Sequence, residues 1–376
     1  MGTPISLRVI EMADTSYGVN HPLAVKVWTR KMIHEPYRSG WFSKFVGDDS
    51  NSLIHLHPDL QKGPGDTVYP MLRAQLTGDG VQGEGTLEGS EEELQTSRDS
   101  VVLDQLRHAV RSKGRVSEQR VPFSVREEAY IGLTDWFTVR KDVGLMNQLG
   151  GNTNITNTRY TLNNATRAPS TNNHLFVGGT AEASLSASAS SAFSLTVIDR
   201  MVTRAKTKAN QPVRPLMIDG EEKYVVFIHP FQKHQLRVTA AASGNWLDIQ
   251  KAVLQGGKIN SNPIYTGAVG EWNQCVIHES NYVPGGSGSS GIFANTNIGV
   301  ASVYRAVLAG ADALQLCVGN GYGTDPAWFE ELFDYGAKLG VACGWIYGGV
   351  KAQFTVNAAT EDFATVVAST FSPDPS

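Results

Sequence analysis

The sequence predicts an α+β fold, with helices and strands segregated along the chain rather than alternating. Three observations carry that prediction. Residues 124 to 149 read as one long capped helix, residues 63 to 121 read as an extended hairpin with a polar tip, and from Tyr224 onward short apolar runs recur between turn signals. The chain has 376 residues, 41% of them hydrophobic, enough for a real core in two domains or one elaborate one.

Residues 1 to 62 read as an arm. Trp28, Tyr37, Trp41, Phe42 and Phe45 sit among Gly, Pro and His with no sustained period, and Leu23 to Ile33 reads as a short helix. Large aromatics without a local core must pack on something else, either the body of the same chain or an adjacent subunit.

The hairpin at 63 to 121 carries opposite charge on its two sides. The tip and its far side hold Asp79, Glu84, Glu88, Glu91, Glu92, Glu93 and Asp99, and the return holds Arg107, Arg111, Lys113, Arg115 and Arg120. With almost no apolar side chains, the tip buries no core of its own. A solvated loop is the plain reading of such a charge run. Complementary docking between copies is the reading we favour for the block as a whole, because such segregation fixes register and excludes wrong partners.

Next comes the long helix. Ser124 and Glu127 make an S-x-x-E capping box after Pro122, apolar residues from Val125 to Met146 recur near the helical period, and Gly150-Gly151 supply the stop. Residues 152 to 190, rich in Asn, Thr, Ser and Gly, read as loop-like or adaptable. A second helix is expected from about Ala192 to Lys206, with a basic end suited to a helix C-terminus. Tyr224 to His229 reads as a buried central strand ended by Pro230, and Trp246 to Leu254 as a short helix. Ile264 to Trp272 and Cys275 to His278 read as strands. Val300 to Ala313 is alanine-rich and reads as helical, Leu314 to Val318 as a strand, and Lys338 to Val367 as a series of strands.

Candidate chemistry is sparse. Gly286 to Gly291 matches G-x-G-x-x-G, but the residues after it are a poor helix start, so it reads as a loop. No phosphate-binding G-K-[ST] follows Gly319 to Gly323. His55 and His57 share one face of a strand without further ligands nearby, and His278-Glu279 lacks the second histidine of a zinc protease. His229 reads as a packed residue at a strand end, and a hydrolase built on His229 or His278 is the weakest reading. No catalytic, cofactor or metal residue is assigned. The three cysteines, Cys275, Cys317 and Cys343, have no C-x-x-C spacing and read as buried free thiols. A net charge of -4 argues against tight nucleic-acid binding but not against lining a compartment that holds DNA. No secretory stretch opens the chain and no apolar run approaches bilayer length, which predicts a soluble product made in the cytoplasm.

Taken in order, Leu87 to Glu92, Arg107 to Val110, Tyr224 to Pro230, Ile264 to Trp272, Phe333 to Gly336 and Gly344 to Gly348 give a pattern. It resembles the major capsid proteins of tailed bacteriophages with the Hong Kong 97-type fold, in detail the N-four-like podophage group. The similarity runs from about Gly65 to Val367. It implies an N-arm at 1–62, an E-loop at 63–121, a P-domain with a spine helix at 122–189, an A-domain at 190–325, and strands returning to the P-domain at 326–376. It further implies self-assembly as pentamers and hexamers into an icosahedral head that encloses double-stranded DNA by weak contact. Implied partners are a separate scaffolding protein, a portal and decoration proteins, with no membrane, and the implied location is the virion. Expected inter-subunit contacts are Glu84, Glu88, Glu91, Glu92, Glu93, Arg107, Arg111, Lys113, Arg115, Trp28, Trp41 and Phe42. The alternative reading is an encapsulin-like nanocompartment shell, which shares the fold.

Overall fold

The computed structural model describes residues 41–60, 65–76, 78–188, 190–208, 211–218, 220–241, 268–288, 291–319, 326–356 and 359–375. Trp28 and the helices expected at Leu23–Ile33 and Trp246–Leu254 lie outside these residues, as does the side chain of Trp41.

Two mixed sheets share one apolar core. The larger has Glu221–Ile228 at its centre, parallel to Cys275–Glu279 on one side and antiparallel to Val303–Ala309 on the other. Thr365–Phe371 and His174–Phe176 continue it beyond Val303–Ala309. Tyr224 to Ile228 are at most 1% exposed, so the continuous apolar run is the fully buried strand its pattern predicts. Pro230 does not simply end that strand. It opens a further helix, Pro230–Ala241, where its fixed φ and missing N–H suit the first position. Val303–Ala309 is a strand and not the expected helix. It is buried along most of its length, and pairing on both edges overrides the helix propensity of its alanines.

The second sheet is organised by the fourteen-residue strand Lys338–Lys351. Along one edge it pairs with Leu314–Gly319 and then Ala327–Phe333; along the other it pairs with Asp104–Arg111, the hairpin's return. Ile54–Leu60 and Val46–Gly47 extend the sheet beyond Leu314–Gly319.

The long helix, Val125–Leu149, lies over this second sheet. The Ser124 side chain accepts from the Glu127 N–H at its start. Twenty-five residues give a rod about 37 Å long. Its first half is amphipathic, but from Asp142 to Leu149 every residue is buried. The polar segment after it explains how. Asn147 Nδ2 donates to the Tyr160 and Asn295 carbonyls, Gln148 Nε2 to those of Thr161 and Asn164, and Asn152 Nδ2 to Asn147 Oδ1. The first part of the Asn- and Thr-rich stretch, largely irregular as its composition suggests, is therefore a hydrogen-bonded collar around a buried helix end. Leu162 sits at the collar's centre with φ of 54°. A Cβ on Gly144 of the helix or Gly349 of the sheet would come within 2.8 or 2.5 Å of its side chain. The two glycines make the notch that Leu162 fills.

Candidate assembly surfaces

The hairpin's antiparallel stem pairs Thr67–Val68 with Val101–Val102 and Met71–Arg73 with Thr96–Arg98. Beyond it, residues 78 to 94 are exposed throughout. Glu84, Glu88, Glu91, Glu92 and Glu93 all face solvent there. Two of them shape the tip: Glu92 accepts from the Gly78 N–H at 2.8 Å and Glu91 from the Gly89 N–H at 2.7 Å. Met71, 85% exposed on the stem opposite Arg98, and Leu87, 61% exposed among the tip acids, are apolar side chains open to solvent. The limb thus has a polar tip with isolated apolar anchors and no interior.

Its root is held firmly. Asp99 is buried, its carboxylate 2.6 Å from Arg167 Nη1 and accepting from the Gln353 N–H at 3.1 Å. Arg167 also donates to the carbonyls of Lys351 and Ser100, and the Asp99 N–H donates to the Pro70 carbonyl across the stem. Under the root runs the ribbon Gln353–Val356 with Ala359–Asp362, whose Thr355 N–H donates to Ser97 Oγ. Fully buried Lys351 is 2.9 Å from the Asp362 carboxylate, and burial lowers its pKa. A charge-assisted root with a coreless tip fixes the direction of the limb and leaves its end free.

The hairpin's return enters the second sheet as Asp104–Arg111. One face of that three-stranded part lies under the helix, where His108 stacks on Trp136 and Tyr130 on Trp328. Arg126 and Glu330 pair there at 2.7 Å. By strand alternation the opposite face bears Arg107, Arg111, Phe329 and Phe333. Small residues floor it: a Cβ on Gly340 would come within 2.7 Å of the Phe333 ring, and one on Gly344 within 3.0 Å of the Arg107 side chain. Arg111 lies over the Phe333 ring at 5.6 Å, and Arg115 donates to the Gly336 carbonyl. Arg107, Arg111, Lys113 and Arg115 are exposed, as are Phe329, Leu332 and Tyr335. The result is a basic and aromatic face, shared by the carboxylate of Glu331, that points away from the long helix.

Phe42 is corrected. Its side chain is fully buried, 5.5 Å from the Phe227 ring and 6.1 Å from the Phe45 ring. It is a core residue of its own chain and offers nothing to a neighbour.

The body behind these surfaces is tied by Arg305, which is 8% exposed. It forks onto both Glu182 oxygens at 2.7 and 2.9 Å and donates to the Gly150 and Gly151 carbonyls at the end of the long helix. Burial alone would raise the Glu182 carboxyl, but Arg305 and the Ser369 hydroxyl hold it below the ordinary range. A cation on the last carbonyls also suits the helix dipole.

His229 and His278 are packing residues. His278 is fully buried, edge-on to Phe45. His229 stacks on Tyr304 and accepts the Phe231 N–H at Nδ1, and burial lowers it to about 4. Beside it lies a cleft of about 530 Å³ in which Asp374 is the only lining carboxylate among the described residues. Among the described residues, no cluster of three or more His, Cys, Asp or Glu is arranged to hold a metal ion, and no helix is long and apolar enough to cross a membrane. The three cysteines are buried and free, and burial raises Cys275 to about 12.

The model of the phage capsid protein family matches residues 16–374. The chain belongs to that family. This capsid protein is 30% identical to the major capsid protein of Pseudomonas phage KPP25, across 90% of this chain and 93% of that one. Its fold matches the capsid of Ralstonia phage GP4 with a TM-score of 0.79 and 28% identity, over 97% of this chain and 100% of that one. The cyanophage Pam1 capsid matches with a TM-score of 0.74 and 19% identity, over 96% and 100%. An encapsulin of Synechococcus elongatus shares the fold more distantly, with a TM-score of 0.50 and 11% identity over 92% of each chain. The expected phage capsid role and Hong Kong 97-type architecture are thereby borne out, and the protein is a structural part of the virion.

Proposed function

We propose that this capsid protein is the repeating subunit of an icosahedral podophage head, N-four-like as its sequence resemblance implies. It assembles as pentamers and hexamers around double-stranded DNA and does no catalysis. Residues 1–62 serve as N-arm, 63–121 as E-loop, 122–189 as P-domain with the spine helix, 190–325 as A-domain, and 326–376 as strands returning to the P-domain. One observation carries the reading: a limb without a core, rooted on a buried Asp99–Arg167 pair, projects from a body whose two sheets share one packed apolar core. Such a limb gains order by lying on another copy. The acidic residues Glu84, Glu88, Glu91, Glu92 and Glu93 meet the basic face of Arg107, Arg111, Lys113 and Arg115 on a neighbour, and Trp28 and Trp41 of the arm add contacts between subunits. Each contact is modest, so assembly stays reversible until the shell closes. A separate scaffolding protein and a portal guide closure, decoration proteins bind outside, and DNA touches the mildly acidic subunit only weakly.

Reversing Glu91, Glu92 and Glu93 to lysine tests the docking. Sedimentation and negative-stain imaging are expected to show soluble subunits and no shells; normal particles would contradict it. The contents of wild-type particles test the head against the nanocompartment: packaged DNA is expected, and an enclosed enzyme would favour the other reading.

A further inference from the structure

Although the tip of the hairpin has no core, the chain around Leu87 is folded into a closed turn. The Ser90 N–H donates to the Leu87 carbonyl at 2.9 Å, and the Gly89 N–H is bound by the Glu91 carboxylate. Gly89 takes a left-handed φ of 87°, which glycine adopts there without strain. The turn presents the Leu87 side chain to solvent. Val81 is instead turned onto its own loop, where a Cβ added to Gly85 would come within 2.6 Å of it. Leu94 belongs to the base of the tip, beside the Ala74–Gln95 hydrogen bond that closes the stem. Leu87 is therefore the apolar side chain offered by the far end of the limb. Glu84 precedes it by three residues, Glu88 follows it directly, and no basic residue occurs between Gly78 and Ser97.

The basic face has a place shaped for such a side chain. Phe329, Ala342 and Ala109 stand side by side across its three strands. The row on one side ends in Arg107 beside Gly344, and the row on the other ends in Arg111 beside Gly340. The Arg107 stem leans over Gly344 and the Phe333 ring over Gly340, each close enough to exclude a Cβ there. Between these ridges the methyl groups of Ala342 and Ala109 floor a shallow notch, and the Phe329 ring stands at its end. Ala109 is exposed and Ala342 half-buried. Glu331 lies on the far strand, and Asp334 is 3.1 Å from Lys338. With Lys113 and Arg115 nearby, cations outnumber carboxylates around the notch.

We propose that Leu87 of one copy seats in the Ala109–Ala342 notch of another, with Glu84 and Glu88 set against Arg107 and Arg111. This rests on the docking of the acidic tip proposed above and fixes its register. An aliphatic side chain on a floor of small residues supplies the anchor, and the ion pairs around it exclude water. The turn that presents Leu87 exists before docking, so less chain order has to be gained on contact.

Cysteine pairing in assembled particles tests the register. The native cysteines are buried, so mild oxidation reports on introduced ones. Particles of a Leu87→Cys, Ala109→Cys variant are expected to give covalent ladders of subunits on non-reducing gels, and either substitution alone is expected to give none. Particles that form without a ladder overturn the notch and leave docking of the tip intact. A disulfide closed within the unassembled subunit overturns it as well. Ala109→Trp fills the notch at an exposed strand position that suits an aromatic residue. It is expected to leave a folded subunit, read by circular dichroism, that makes no shells. Normal shells from Ala109→Trp overturn the notch, and if reversing Glu91, Glu92 and Glu93 still blocks assembly, the docking itself stands. Normal shells from both variants overturn the docking too. Leu87→Ala is expected to raise the subunit concentration needed for shells roughly tenfold. If the other variants do not fold or assemble, an unchanged threshold for Leu87→Ala overturns the notch.

Discussion

Arg305 joins the end of the long helix, the turn at Glu182 and a central strand of the larger sheet. Replacing it with Met leaves the Glu182 carboxylate buried without its cation and two helix carbonyls without their donor. The expected cost is about 3–5 kcal/mol, read as a lower urea midpoint for the unassembled subunit. Adding Glu182→Gln should recover part of the loss, because it removes the orphaned charge. The same cluster makes stability depend on pH. Burial, reinforced by the charge of Arg305, lowers His174 from 6.5 to about 4, and burial does the same to His229. Both rings stay neutral in the fold, whereas the unfolded chain binds protons from about 6.5 downward. Their contribution is complete above 6.5 and is lost as pH falls toward about 4. Urea unfolding across that range should show the decline, and His174→Asn should flatten part of it. None of this was legible beforehand. Arg305 lies in an alanine-rich apolar run, and nothing local marks the carbonyls it reaches 154 and 155 residues earlier.

At the scale of elements, the long helix and the hairpin could be read because their signals are local. A cap, a period and a glycine stop lie within the helix, and a coreless tip is visible in its own composition. Ser124→Ala should cost about 1 kcal/mol and fray the first turn without disturbing the collar, which amide exchange at residues 125–129 would register. The strand at Val303 and the helix at Pro230 were misread or missed for a common reason. Their local propensities allow either state, and neighbours distant in sequence decide it. The hairpin's root was legible only as charge. Asp99 was grouped with the tip acids, yet it is the buried one that anchors the limb. Asp99→Asn should weaken the anchor by about 2 kcal/mol. Limited proteolysis should then cut near residues 96–103 faster while helical circular dichroism stays unchanged.

At the scale of the molecule, the fold class and capsid family were legible because the order of motifs spans most of the chain. The contact surfaces were legible only in part. The acidic tip is exposed as its sequence suggests, but Phe42 turns inward, because aromatic content alone does not say which core an aromatic joins. Arg111 and Arg115 partly engage their own strand turn, and the floor of glycines that flattens the basic face appears only once strands are paired. The account's central claim is that the limb projecting from the Asp99 root finds its seat on another copy. A cryo-electron microscopy map of assembled particles tests it most directly. The account predicts density for residues 78 to 94 lying on the Arg107–Arg115 face of an adjacent subunit. Density in which those residues fold back onto their own subunit and touch no neighbour would contradict it.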